Sequence, residues 1–205
     1  MAINGSQTLK VRIAILISGR GSNMKAIIEA CKDHNFPAEV VLVLSNKINA
    51  RGLKFAQDNN IKTIVINHQD FNQSLNPRQE FDKAMNQEIE KHNINLICLA
   101  GFMRLLSGWF VDKWHDRLIN IHPSLLPHFK GAHAVSDAIN AKAKISGCTV
   151  HYVTKEMDSG PIIKQSVVTI EENDNIESLS NKILQHEHKI YPQAIKIVCQ
   201  KILTK

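Results

Sequence analysis

Residues 11–17, Val-Arg-Ile-Ala-Ile-Leu-Ile, put apolar, mostly β-branched side chains at both parities and then stop at Ser18-Gly19. A strand of that kind has no face to give to water, so it belongs inside a sheet that is covered on both sides. Further strand-like runs follow at 38–44, 61–66 and 94–100. Helical stretches separate them. One follows Ser22-Asn23, with Ile27, Ile28 and Cys31 on one side; a short one covers 50–58; a third covers 78–91, where Phe81, Met85 and Ile89 recur every fourth residue. Strand and helix alternating with short joints predict βαβ units, hence an α/β fold with an open, mostly parallel, doubly wound sheet that is Rossmann-like in its N-terminal half.

The second half of the chain has a different texture. A short strand at 118–121 leads into a loop rich in Pro and His at 123–131. The alternating run 148–154 reads as a strand, Asp158-Ser159-Gly160-Pro161 as a turn, and 162–170 as a strand antiparallel to its neighbour across that turn. A long final helix starts near Asn175, with Ile176, Leu179, Ile183, Ile190 and Ala194 along one stripe. The expected organisation is a flexible tail over 1–10 and a single domain over 11–205. The chain's 205 residues, 43% of them apolar, suffice for a substantial core.

Composition excludes several classes. The net charge of +6 is spread along the chain, which suits small anionic ligands rather than a nucleic-acid surface. Cys31, Cys98, Cys148 and Cys199 form no CxxC pair, so they read as free thiols in a reducing compartment, the cytoplasm. No apolar run approaches the ~18 residues of a membrane span, and 11–17 is too short for a signal peptide.

Four features carry chemistry. Ser18-Gly19-Arg20-Gly21-Ser22-Asn23 joins the first strand to the first helix. Backbone N–H groups there attract an anion. Met24 stands where a dinucleotide fingerprint needs its third glycine, and no nucleotide-triphosphate lysine is present. The loop therefore reads as a cradle for one phosphate or as a tight turn with an Asn cap, and not as a site for NAD or ATP. Asn120 and His122 share one face of a strand by alternation, and Pro123 keeps His122 extended. An imidazole can carry a proton and an amide can stabilise an oxyanion at such a strand end. Asp158 is a turn former that, if it faced His122, would favour the imidazolium. Glu187 falls on the apolar stripe of the final helix, where a carboxylate needs either an ion pair or a ligand. His186-Glu187-His188 lacks the spacing of a zinc site, and no metal is expected.

With Ala100-Gly101-Phe102-Met103-Arg104-Leu105-Leu106-Ser107, Asn120 to Pro127, Gly147-Cys148-Thr149-Val150-His151 and Glu187-His188-Lys189-Ile190-Tyr191-Pro192, the chain resembles the phosphoribosylglycinamide formyltransferases, folate-dependent enzymes of purine biosynthesis. The resemblance runs from about Val11 to Tyr191. It implies a catalytic trio of Asn120, His122 and Asp158, with 10-formyltetrahydrofolate as co-substrate and neither metal nor NAD. It implies that Gly21, Ser22 and Asn23 hold the substrate phosphate and Glu187 the ribose. It also implies folate contacts from Arg78, from Met103, Arg104, Leu105 and Leu106, and from Thr154, Lys155, Glu156, Met157 and Asp158 beside Asn120. The 11–100 half is then phosphate-binding, and the 101–205 half folate-binding and catalytic. Partners are the small-molecule substrates, with no nucleic acid and no membrane, in a monomer or homodimer. The sequence reads Asp-Ser-Gly where relatives often have Asp-Gly-Gly, and His133 has no assigned role. The alternative reading is a 10-formyltetrahydrofolate deformylase, a hydrolase with similar residues but normally an added N-terminal regulatory domain. Methionyl-tRNA formyltransferases carry an RNA-binding C-terminal domain. A non-enzymatic folate- or nucleotide-binding module would not need the trio.

Overall fold

The two-faced apolar run becomes an interior strand, β1 (Val11–Ile17), of a seven-stranded sheet. Its partners are β2 (Ala38–Ser45), β3 (Lys62–Val65), β4 (Leu96–Leu99), β5 (Leu118–His122), β6 (Ile145–Tyr152) and β7 (Ile162–Thr169), in the order β3-β2-β1-β4-β5-β6-β7. The computed structural model describes residues 9–204, so nearly all of the expected tail over 1–10 lies outside the described residues. Parity along β1 divides the interior. Val11, Ile13, Ile15 and Ile17 enter one apolar cluster, with residues of α1 (Ser22–Cys31), α2 (Gly52–Asp58), α5 (Ala134–Asn140) and α6 (Ile176–Leu203). Ala14 and Leu16 enter the other, with Phe81, Met85 and Ile89 of α3 (Pro77–Lys91) and Phe110 and Val111 of α4 (Gly108–Lys113). The sheet is thus sandwiched between two helical layers.

β1 to β5 pair in parallel, whereas β6 runs antiparallel to both β5 and β7. From β1 the chain winds outward through β2 to β3, then returns to lay β4 on the other side of β1. That reversal opens a crevice beyond the carboxyl ends of β1 and β4, where open α/β sheets take ligands. The glycine-rich loop and the segment after β4 meet there: the Ser18 amide donates to the Gly101 carbonyl at 3.1 Å.

The structure departs from expectation in three places. α4 and α5, six and seven residues long, were not anticipated because such short helices show no full apolar period. α4 is held instead by the Ser107 side chain, which accepts from the Phe110 amide, and by burial of Phe110, Val111 and Trp114. The stretch expected to be irregular contains a 3₁₀ turn, His68–Phe71. Ile176 is half exposed, because the apolar stripe of α6 starts one turn later at Leu179; Asn175 and Ser178 form a capping box at that end.

Tyr191 of α6 is fully buried, and its hydroxyl donates to the Leu99 carbonyl at 2.9 Å with the Ile119 carbonyl 3.3 Å away, tying the helix to β4 and β5. Tyr191→Phe is expected to lower stability by about 1–2 kcal/mol, read from urea unfolding; an unchanged midpoint would show the hydroxyl to be idle.

Candidate active site at the end of β5

The β5–β6 register places Asn120 opposite His151 and His122 opposite Thr149. The Asn120 amide nitrogen lies 3.2 Å from His151 Nε2, and His151 Nδ1 lies 2.9 Å from the Tyr152 carbonyl. A carbonyl only accepts, so the His151 proton sits on Nδ1 and Nε2 is free to accept from Asn120. Burial lowers the His151 pKa below the ordinary histidine value, outweighing the Tyr152 carbonyl and the Asp158 charge, which act the other way. His151 is therefore a neutral ring that orients the Asn120 amide.

His122 is held by the same logic with its nitrogens exchanged. Its Nε2–H donates to the Phe129 carbonyl at 2.8 Å, and Nδ1 faces Asp158 Oδ2 at 3.5 Å. A proton on Nδ1 makes that approach an ion pair; at 3.5 Å it is longer than a hydrogen bond, so the N–H remains able to serve a third atom. The other carboxylate oxygen is 3.7 Å from His151 Nε2, and the Gly131 amide donates to Oδ2 at 2.8 Å. Asp158 thus lies between His122 and His151, and is linked to Asn120 only through His151. Its backbone is left-handed, φ 51°, a conformation that Asp tolerates better than most residues. The turn closes on β6 through the Tyr152 amide, which donates to the Pro161 carbonyl, and a Cβ on Gly160 would lie 1.8 Å from the Tyr152 carbonyl oxygen.

At the crevice, Gly21 is the N-cap of α1 with φ 69°, and among the described residues no side chain caps the helix. Gly21 also presses on Gly52, which leaves no room for a Cβ. The first-turn amides of α1, including those of Ser22 and Asn23, are those a small anion would meet. The Asn23 amide nitrogen donates to Glu187 Oε2 at 2.7 Å. Among the described residues Glu187 is thus partnered by an amide and not by a cation. Burial pushes its carboxyl up to about 7, against the lowering effect of the Asn23 bond. Asn23 Oδ1 is buried without a hydrogen-bond partner among the described residues.

The two segments expected to wrap a pterin flank the trio. In 103–106, Met103 and Leu105 are exposed, and the Arg104 guanidinium lies over the Phe81 ring at 5.7 Å. Arg78, exposed in the first turn of α3, acts with Arg104 on the charge of Asp82. In 154–158, Thr154 Oγ1 donates to the Glu156 carbonyl, Lys155 pairs with Asp112 of α4 and Glu156 with Lys130. The Lys155 and Glu156 side chains are therefore spent on surface pairs, and Met157 is half exposed. His133 is an exposed ring at the N-cap of α5, with no contact to the trio among the described residues.

Two buried groups were not singled out by sequence reasoning. His151 carries a signal in retrospect: two residues beyond Thr149, it shares that residue's face of β6. Asp82 follows the inward Phe81, and with Asn86 it makes a second buried row along α3 at spacing four. Among the described residues, no group of three or more His, Cys, Asp or Glu could hold a metal ion, and no helix is long and apolar enough to cross a membrane.

A family model described as formyl transferase matches residues 11–195, and the chain belongs to that family. Among its relatives, the phosphoribosylglycinamide formyltransferase of Bacillus subtilis (strain 168) is 37% identical over 90% of this chain and 93% of its own length. The crystal structure of glycinamide ribonucleotide transformylase 1 from Symbiobacterium toebii superimposes with a TM-score of 0.89 at 38% identity, covering 94% of this chain and 89% of that one. The trifunctional purine biosynthetic protein adenosine-3 of Gallus gallus is 46% identical over 94% of this chain, which spans only 19% of that larger protein.

Glu187 generates a pH prediction. Its folded pKa, about 7, exceeds the ordinary 4.5, so the folded state holds a proton that the unfolded state releases between those values. The associated stability is fully present below the ordinary pKa and is lost as pH rises to about 7, a fall on the order of 3 kcal/mol. Glu187→Gln, which keeps an acceptor for Asn23, should flatten that fall when urea unfolding is compared at acid and neutral pH. An unaltered slope would place the titration elsewhere.

Proposed function

We propose that the chain transfers the formyl group of 10-formyltetrahydrofolate to the amine of 5-phosphoribosylglycinamide, giving formylglycinamide ribonucleotide and tetrahydrofolate in purine biosynthesis. The observation that carries this reading is one carboxylate, Asp158, set between His122 and His151, with Asn120 held by His151, on the rim that also bears the anion-attracting end of α1. Membership of the formyl transferase family and the names of the relatives support it. The residues fit both ligands. Exposed Met103, Leu105 and Met157 offer apolar surface to a pterin, and the buried, unpartnered Asn23 Oδ1 beside Glu187 suits a hydroxyl.

On this reading the amides of Gly21, Ser22 and Asn23 hold the phosphate, and Glu187 takes a ribose hydroxyl in exchange for part of its bond to Asn23. The segments 103–106 and 154–158 enclose the pterin, with Arg78 beside the folate. The folate supplies the formyl group. Asn120 and the Nδ1–H of His122 bear the negative charge that develops on the formyl oxygen when the amine attacks, and the Asp158 carboxylate faces that ring nitrogen at 3.5 Å. The amine's surplus proton passes by way of the Asp158 carboxylate to the folate N10, whose bond to the formyl carbon breaks as the C=O re-forms, and tetrahydrofolate leaves with that proton. The chain acts in the cytoplasm on small molecules as a monomer or homodimer. It forms one domain, with the phosphate held by the 11–100 half and the folate and chemistry in the 101–205 half.

Tetrahydrofolate release from 10-formyltetrahydrofolate is expected to require the ribosylated glycinamide, and His122→Ala should lower kcat by ~10²–10³. Release that ignores the amine would make the chain a hydrolase, and undiminished turnover of His122→Ala would remove that residue from the chemistry.

A further inference from the structure

Between β4 and α4, residues 102–107 carry neither helix nor strand, and Met103 and Leu105 point outward. The segment is nevertheless tied at both ends to buried side chains of other elements. At its start, the Met103 amide donates to Ser18 Oγ at 2.8 Å, and Ser18 Oγ–H is itself committed to Asn46 Oδ1 at 2.6 Å. At its end, the Ser107 amide donates to Asp82 Oδ2 at 2.5 Å. Asp82 is the costlier of the two anchors. It is fully buried on α3, between the apolar cluster of Phe81, Met85 and Phe110 and the segment itself. Its second oxygen has no hydrogen-bond partner among the described residues. A half-satisfied carboxylate in such a place works against folding, and an apolar side chain of similar volume would be cheaper. Its hydrogen bonding goes to a single residue, Ser107, so holding that residue is what an aspartate does here that an apolar side chain would not.

We propose that Asp82 is a positioning residue for the folate: by holding the Ser107 amide it sets the 103–107 segment against the end of β1, so that the segment's main chain meets the pterin in line with His122. The inference rests on the reading that this segment takes the pterin.

The test compares Asp82→Leu, Asp82→Asn and Leu105→Glu in steady-state assays with both substrates varied, alongside urea unfolding. Asp82→Leu should raise KM for 10-formyltetrahydrofolate roughly tenfold to a hundredfold, the worth of a charge-assisted hydrogen bond, while the orphaned Ser107 amide lowers stability only modestly. KM for the ribosylated glycinamide should stay within about twofold, since the cradle at α1 is untouched. Asp82→Asn, which keeps an acceptor for Ser107, should recover most of the folate KM. If Asp82→Leu does not fold, faster deuterium exchange of the 103–107 amides in Asp82→Ala is the corresponding expectation. Leu105→Glu tests the underlying reading separately. If it raises the folate KM while Asp82→Leu or Asp82→Ala leaves that KM and the exchange unchanged, the anchor is refuted and the pterin site stands. If Leu105→Glu leaves the folate KM unchanged, the segment is not the pterin site and the proposal falls with it. Loss of stability with kcat and both KM values altered together would make Asp82 merely structural.

Discussion

The site depends on the antiparallel register of β6 on β5. That pairing puts His151 across from Asn120 and Thr149 across from His122, and it carries the chain to the Leu118 end of β5, from which the 154–161 segment folds back to bring Asp158 to His122. A slip of one residue would turn His151 and Thr149 to the opposite face and strand Asn120 without its acceptor. Thr149 fixes the register from the other side: its hydroxyl donates to the Ser124 carbonyl and accepts from the Leu126 amide, so the loop that leads to Phe129 is anchored on β6. The Phe129 carbonyl then holds His122. Orientation of the imidazole is in this way a product of sheet pairing, relayed through one hydroxyl and one loop.

The two histidines show how position alone separates roles. Both face the Asp158 carboxylate at similar distances, yet His151 uses Nδ1 on a main-chain carbonyl and Nε2 on an amide donor, which leaves it neutral and passive. His122 uses Nε2 on a carbonyl and turns Nδ1 to the carboxylate. One ring spends both nitrogens on holding its neighbours, and the other turns one nitrogen to the carboxylate, although the two lie on adjacent strands of the same sheet.

Much of this was legible in the sequence, for reasons of period. The two parities of β1 announced a doubly covered sheet, alternation joined Asn120 to His122, and the stripe of α6 exposed Glu187 as a misfit needing a partner. What was not legible depends on pairing between distant segments. Nothing local connects Asp158 to His122; family resemblance suggested the link, and the β5–β6 register supplies it. The partner of Glu187 proved to be Asn23, not a cation, because the misfit reveals a need and not its remedy. Asp82 was hidden by its neighbour: beside Phe81 it reads as the solvent edge of α3, and only the segment before α4 covers it.

The Asn23–Glu187 bond spans 164 residues of chain. It joins α1 to α6, so this contact forms only after every strand of the sheet has been made. A nascent chain can pair β1 to β4 and display the glycine-rich turn long before α6 leaves the ribosome, since the parallel core needs only earlier residues. Until then the anion cradle stands open on one side and Tyr191 has not yet closed over Leu99 and Ile119. Closure between segments so far apart in the chain is slow to form, so the contact between α1 and α6 comes after the parallel core, which needs only earlier residues.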